Sequence, residues 1–353
     1  MASNMEALTI HRPALTNDRL PTILSRIRQA SIGILGDFCL DAYWDLDAGM
    51  TALSIETGKP THAVRTQRYC LGGAGNVANN VAALGAKHVQ AFGVIGDDLF
   101  GREMVRILHE AKIETPGIIV QPNQWDTPVY AKPYLGADEQ DRVDFGRFNA
   151  IASSTTDALI SVLESSLPRL DALIINQQLP HSIYSEDVIS ALNRMAEKFS
   201  DKIFLLDSRD RSLDFRHMIY KINALEAASL FGKHVRHNEE VTIAELETYA
   251  ASLHQRFGKP VFITRSSEGL FLFDGNESHH VPAIPVEGPL DTVGAGDTVV
   301  AALASSLAAG ASLNEAGVVA SLAAAVTVKK IKQTGTATAE EILTLAKGAK
   351  DPV

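Results

Sequence analysis

Two hydrophobic rhythms alternate along the chain. Short continuous apolar runs at residues 31–36, 89–94, 172–176, 203–207, 218–222 and 261–264 have the character of strands buried on both faces. Between them, apolar positions recur at helical spacing over residues 20–30, 101–111, 185–199 and 313–330. A strand-then-helix order of this length predicts an α/β fold, with helices on both faces of a mostly parallel central sheet. No period of 20–50 residues recurs, which excludes a solenoid.

Two stretches break this rhythm. Residues 43–68 and 127–148 alternate loosely between apolar and polar, the first interrupted by Gly49, Gly58 and Pro60, as short strands with one solvated face do. They predict a small sheet standing off the body, a lid of two segments (about 42–70 and 127–148) inserted in a single 1–353 domain. Such a lid would exclude water from a site beneath it. Its exposed edges also invite pairing with a second copy, so a homodimer through the lid is expected. Farther on, Gly275-Asn276 reads as the turn of a hairpin, whose His279 and His280 face opposite ways and make poor joint metal ligands.

Candidate chemistry concentrates at Gly-rich turns and strand ends. Asp291-Thr292-Val293-Gly294-Ala295-Gly296-Asp297-Thr298 leads directly into a small-residue helical run at 299–309. Free backbone N–H groups and the positive end of a helix dipole therefore converge on one point, a seat for an anion. Asp297 at its mouth is either a helix cap or a carboxylate beside the anion's reacting oxygen. A second turn, Leu71-Gly72-Gly73-Ala74-Gly75-Asn76-Val77-Ala78, also fits dinucleotide-binding spacing, but residues 65–69 before it are too polar for the buried strand that motif needs. Asp37 and Asp41 follow the first strand, where ligands gather in open α/β sheets. Asp97-Asp98 reads as a cap for the helix starting near Gly101. Asn223 and Glu226 have, on their own, the spacing of an ordinary capping box. No Walker A sequence occurs, which excludes a P-loop kinase at the motif level.

As a pair, the two glycine signatures resemble those of the ribokinase-like (PfkB) carbohydrate kinases, and the resemblance extends over about residues 31–344. It implies a ribokinase-like three-layer sandwich with a small β-sheet lid, and ATP-dependent phosphorylation of a sugar or sugar-phosphate hydroxyl. Carried over residue by residue, it makes Asp297 the base and Gly294, Ala295 and Gly296 the anion hole for the transferring phosphoryl group. Asp41, Gly72, Gly73 and Asn76 inherit contacts to the sugar. Asn223 and Glu226 would order Mg2+, through water, against the ATP phosphates, as suits a cation that dehydrates reluctantly. Asn238 is the poorer choice there, because Val241 stands where the Glu is needed. Thr264 and Gly269 would flank the nucleotide, Thr334-Gly335-Thr336 would lie near its pocket, and Asp291-Thr292 marks the place where members often hold K+. Lys132 and Arg142, in the second lid segment, are either a solvated strand face or a receptor for a phosphate already on the sugar. Within the family, the run from Leu53, the Gly72 signature, Lys132, the stretch from Arg142 to Phe145, and Lys332 with Gly335-Thr336 are similar to bacterial heptose-phosphate kinases. Two departures leave the sugar open: Asn176-Gln177-Gln178-Leu179-Pro180 replaces an acidic, Gly-containing loop, and no nucleotidyltransferase portion follows before Val353.

Composition narrows the partners. The chain has 353 residues, 46% of them hydrophobic, which is ample for a sizeable core. A net charge of −10 without a Lys/Arg block argues against nucleic acid or an anionic membrane as the main partner. Residues 1–16 lack the apolar core of a signal peptide and no apolar run reaches transmembrane length, so a cytoplasmic location is expected. Cys39 and Cys70 have no His or Cys at ligand spacing and read as reduced structural thiols. The competing class is a catalytically silent, sugar- or nucleotide-responsive binding protein on the same fold. It predicts a damaged motif where residues 291–298 are intact.

Overall fold

The computed structural model describes residue 15 and residues 18–233, 240–331 and 334–348. Asn238, Lys332, Val353 and residues 1–16 other than Leu15 lie outside them. The first half of the chain runs α1 (Arg19–Ile27), β1 (Ser31–Gly36), β2 (Phe38–Leu53), β3 (Pro60–Gly73), α2 (Ala74–Leu84), β4 (His88–Gly96), α3 (Leu99–Glu110), β5 (Glu114–Gln121), β6 (Val129–Leu135), β7 (Asp138–Glu139), β8 (Val143–Phe145) and α4 (Ser153–Ser166). The second half runs β9 (Ala172–Gln177), α5 (Glu186–Lys198), β10 (Ile203–Ser208), β11 (Ile219–Asn223), α6 (Ala224–Leu230), α7 (Ile243–Phe257), β12 (Val261–Thr264), β13 (Leu270–Phe273), β14 (Ser278–Val281), α8 (Ala295–Ala308), α9 (Leu313–Thr327) and α10 (Ala339–Gly348).

Among the described residues the main sheet has nine strands in the order β14-β13-β12-β11-β10-β9-β1-β4-β5. Every pair from β12 to β5 is parallel, and the expected hairpin adds β13 and β14 antiparallel at one edge. β1 lies inside the sheet, with Ile32 opposite Val89 on one side and Ala172 on the other. Its continuous apolar run follows from that position, because both of its faces are covered. One apolar layer is built with α1, α2, α3, α8, α9 and α10, the other with α4 to α7. The result is the ribokinase-like three-layer sandwich. α8 is buried continuously from Thr298 to Ser306, as a helix apolar on all sides must be, and its Ala, Ser and Val side chains let it pack closely between the sheet, α2 and α9.

The lid is a second sheet, β3-β2-β6-β7 with β8 on β6, and β2 runs parallel to β6. It departs from expectation in reach. β2 and β3 have 16 and 14 residues rather than forming short strands, and they extend inward to Phe38 and Gly73. The strand breakers all sit at the far end: Gly49 falls within a register shift between Asp47 and Ala52, while Gly58, at φ 65°, and Pro60 frame the turn. The near end is buried through Phe38, Leu40, Ala42 and Leu71, so body and lid are continuous there.

Candidate active site

The two glycine signatures become two helix starts that face each other. α2 begins after Gly73 at φ 53°, where a Cβ would lie 2.5 Å from the Asp37 carbonyl oxygen. α8 begins after Gly294 at φ 81°, where a Cβ would come within 2.8 Å of Asn76 Nδ2. Neither approach leaves room for a side chain, and both backbones sit in a region that favours glycine. Asn76 Nδ2 then donates to Asp297 Oδ2 at 2.7 Å. The capping alternative for Asp297 fails: the N-cap of α8 is Gly294, and no side chain caps the helix. Ala295 N–H donates to Thr292 O at 3.2 Å, whereas the Gly296 and Asp297 amides, in the first turn, have no acceptor within the helix.

Opposite this helix start lies an ion pair that sequence reasoning missed. Lys221 Nζ, on β11, is 3.0 Å from Asp207 Oδ1 at the end of β10, and both are buried. Asn176 Nδ2 and Gln178 Nε2 reach the other Asp207 oxygen at 3.3 and 3.4 Å. The ammonium is thereby held toward α8, since a Cβ at Gly296 would lie 3.6 Å from Lys221 Nζ. A lysine inside the apolar strand Ile219–Asn223 was the available signal. Burial would pull the Lys221 ammonium down, but Asp207 and Glu226 more than offset it and its pKa is raised. Burial pushes the Asp297 carboxyl up to about 6, against the Asn76 hydrogen bond and Lys221 and with help from Asp207 and Asp41. Burial also raises Glu226, with Lys221 opposing.

Asn223 and Glu226 complete their capping box. Asn223 Oδ1 accepts from Glu226 N–H at 2.8 Å and Glu226 Oε2 from Asn223 N–H at 3.1 Å. Both also line a polar cavity of about 410 Å³, with Gly73, Arg142, Lys221 and Asp297. A second, mostly apolar cavity of about 660 Å³ is walled by Thr264, Gly269, Ile284, Val286, Thr292 and Ala324. Gly296 borders both, so the start of α8 separates a polar chamber from an apolar one.

The lid cations are separated. Lys132 pairs with Asp41 at 2.7 Å and lies over the Tyr43 ring, and neither Lys132 nor Asp41 lines the polar cavity. Gly72 lies close beside them, where a Cβ would be 3.2 Å from Asp41 Oδ2. Arg142 does line the cavity, while it holds Asp144 through two bonds of 2.7 and 3.0 Å and lies over Tyr130. The Asp291 carboxylate accepts from Val293 N–H at 3.0 Å. Thr334 and Gly335 lie against Leu71 and Asn80 and do not line the apolar cavity. Asp37 fastens the loop after β9, accepting from the Gln178 and Leu179 amides at 2.8 and 2.9 Å and from Ser182 Oγ at 2.6 Å. Asp98 caps α3 as expected, accepting from Gly101 N–H in a helix that starts at Leu99, and also accepts from Thr127 N–H. Cys39 lines the polar cavity with a thiol that burial raises well above its ordinary pKa. Among the described residues no group of three His, Cys, Asp or Glu is placed to hold a metal, and no helix is long and apolar enough to cross a membrane.

The chain has relatives among known proteins and solved structures. The bifunctional protein HldE of Wolinella succinogenes is 32% identical over 323 residues, covering 90% of this chain and 64% of that protein; the chain thus spans less than two thirds of that relative's length. A ribokinase from Thermotoga maritima superimposes with a TM-score of 0.68 at 20% identity, covering 90% of this chain and 100% of the other. A ribokinase from Arabidopsis thaliana, solved with ribose and ATP, gives a TM-score of 0.67 at 19% identity, covering 90% and 99%. Both structures share the fold described above. The profile described as pfkB family carbohydrate kinase matches residues 41–340, from the aspartate at the lid base to the start of the last helix, and the chain belongs to that family.

Proposed function

We propose that this protein, as one kinase domain with an inserted lid, transfers the γ-phosphoryl group of ATP to a hydroxyl of a sugar or sugar phosphate, with Asp297 as the base. The observation that carries this reading is the position of the Asp297 carboxylate. It lines the polar cavity at the start of α8, where Gly296 borders that cavity and the apolar one alike. The cavity walls Leu270, Ile284, Val286 and Ala324 suit the faces of a purine. The polar chamber suits a polyhydroxyl acceptor.

Bound ATP would supply the phosphoryl group and Mg2+ would neutralise its charge; Asn223 and Glu226 line the polar chamber and are the residues that would hold that cation, through water as suits an ion that dehydrates reluctantly. The chain's own work is positioning and electrostatics. The Gly296 and Asp297 amides donate to the transferring oxygens, and Lys221 adds a fixed positive charge beside them. Asp297, ionised above about pH 6, accepts the hydroxyl proton while Asn76 holds its second oxygen. Asp291 and Thr292 would be the residues to hold a K+ ion that steadies this turn. Arg142, at the chamber wall, is the better placed of the two lid cations to meet an acceptor phosphate, since Lys132 is committed to Asp41. The acceptor is heptose-phosphate-like on this reading. The exposed apolar residues Met50, Leu53 and Val64 on the lid support a homodimer through this sheet.

The deciding experiment is Asp297→Asn, assayed for ADP release with ATP, Mg2+ and a panel of sugars and sugar phosphates. Loss of general-base catalysis predicts turnover lower by ~10²–10⁴ with substrate binding retained. Near-normal turnover in the folded variant rejects the assignment. Solution mass tests the dimer, and Arg142→Ala, expected to weaken use of a phosphorylated acceptor over its free sugar, tests the phosphate contact.

A further inference from the structure

Beneath the two helix starts runs a buried polar chain. Asn80 lies one turn after Asn76 on α2 and is 1% exposed. Its Nδ2 donates to Asn76 O at 2.9 Å and lies 3.4 Å from Gly335 O and 3.3 Å from Asn76 Oδ1. Its Oδ1 accepts from the Thr298 hydroxyl at 2.8 Å, and Thr298 Oγ1 is 3.1 Å from Thr327 Oγ1. Two backbone carbonyls on one side settle which end of the Asn80 amide is the NH2 group, because a carbonyl oxygen turned toward them would find only acceptors. With Asn80 fixed, its NH2 meets Asn76 Oδ1, and the Asn76 NH2 is left facing Asp297 Oδ2.

We propose that Asn80 is a positioning residue for phosphoryl transfer, holding the Asn76 amide in the one orientation that donates to the Asp297 carboxylate. The chain closes on itself: Thr298, the residue after the base, anchors Asn80, which orients Asn76, which holds the base. Buried among α2, α8 and α9 except where Asp297 meets the cavity, these bonds form a connected network, in which neighbouring hydrogen bonds strengthen one another. The inference rests on the reading of Asp297 as the base.

Without Asn80, the Asn76 amide is free to turn. Its oxygen has lost the donor that fixed it, so the Asn76 NH2 is held less firmly against Asp297 Oδ2 and its donation weakens. A hydrogen bond to the charged form favours that form, and its weakening moves the acid limb of the pH–kcat profile upward. The other groups facing Asp297, namely Asp41 and the Cys39 thiol from β2, Asp207 from β10 and Lys221 from β11, are untouched by the change. The shift therefore reports the amide. One charge-assisted hydrogen bond corresponds to about one pH unit, or roughly tenfold in turnover on the acid side of the limb, with a smaller loss on the plateau. The KM for ATP stays near that of the wild type, since the apolar cavity lies on the other flank of Gly296.

The test measures pH–kcat profiles for wild type, Asn80→Ala, Thr298→Val, Thr298→Ser and Asp297→Asn. Asn80→Ala should raise the acid limb by about one unit, Thr298→Val should raise it less, and Thr298→Ser, which keeps the hydroxyl, should restore it. If Asp297→Asn retains turnover, the base assignment falls and this inference with it. If Asp297→Asn is inactive while Asn80→Ala and Thr298→Val keep the wild-type limb, the base stands and the positioning role is overturned. Should Asn80→Ala not fold, the Thr298→Val and Thr298→Ser pair decides: an unmoved limb in Thr298→Val overturns the role.

Discussion

Replacing Asp297 by Asn should make the protein more stable at the pH where it works. Burial lifts the Asp297 carboxyl from 3.8 to about 6, so the folded state binds this proton more tightly than the unfolded chain does. The sign follows by linkage: the contribution to stability is fully present below pH 3.8 and is lost as pH rises through about 6. A shift of about two units is worth about 3 kcal/mol at most, and water entering the open chamber reduces the figure, so about 1–3 kcal/mol is expected. An Asn carries no charge to desolvate and still offers Oδ1 to Asn76. Urea unfolding of both proteins at pH 8 should show the variant more stable by that amount, and the difference should shrink toward zero near pH 4. Comparing the two proteins at each pH removes the titration of every other carboxylate. An Asp297→Asn protein equally or less stable at pH 8, or an advantage that persists unchanged at pH 4, would refute the claim that the Asp297 carboxylate is held at an electrostatic cost. Stability gained with turnover lost is the pattern expected of a site organised for chemistry.

Three further outcomes follow from the same geometry. Lys221→Met leaves Asp207 buried without its counter-charge and should lower unfolding stability by about 3–5 kcal/mol; adding Asp207→Asn should recover part of it, and purely additive losses in denaturant titrations would show that the two do not act as a pair. Gly294→Ala places a Cβ 2.8 Å from Asn76 Nδ2 on a left-handed backbone, costing about 1–2 kcal/mol of stability and lowering kcat by displacing the amide; a wild-type kcat in the folded variant contradicts it. If Asp291 and Thr292 seat a monovalent cation, rates in K+ should exceed those in a large organic cation at matched ionic strength, and equal rates remove that site.

What was legible in the sequence was what local pattern controls. The buried runs at β1, β9 and β10 are continuous because both faces of those strands are covered, and the Gly-rich starts of α2 and α8 announce themselves because only glycine permits the approaches at Gly73 and Gly294. The hairpin β13–β14 followed from Gly275-Asn276 for the same reason. Gly49 reads as a strand end in the sequence but marks an irregularity within β2. The Lys221–Asp207 pair stayed hidden since its partners are 14 residues apart on neighbouring strands and only sheet order brings them together. Asn80 carries no local signal because a polar residue inside a helix reads as solvent-facing until α8 packs against it, 218 residues on at Thr298. Asn223 and Glu226 show the opposite limit: their spacing satisfies a helix cap completely, so local sequence offers no reason to look further.

The two register shifts in the lid ribbon, at Asp45/Leu46 and between Asp47 and Ala52, set where this protein can diverge. Side chains alternate faces along a strand, so inserting one residue between Phe38 and Asp41 would turn Asp41 to the opposite surface and take Lys132 from its partner. The same insertion beyond Ala52 falls in a stretch exposed on both faces, where an added residue disturbs no buried alternation. The outer ribbon can thus be lengthened or trimmed without disturbing the body, while the inner ribbon must keep its count.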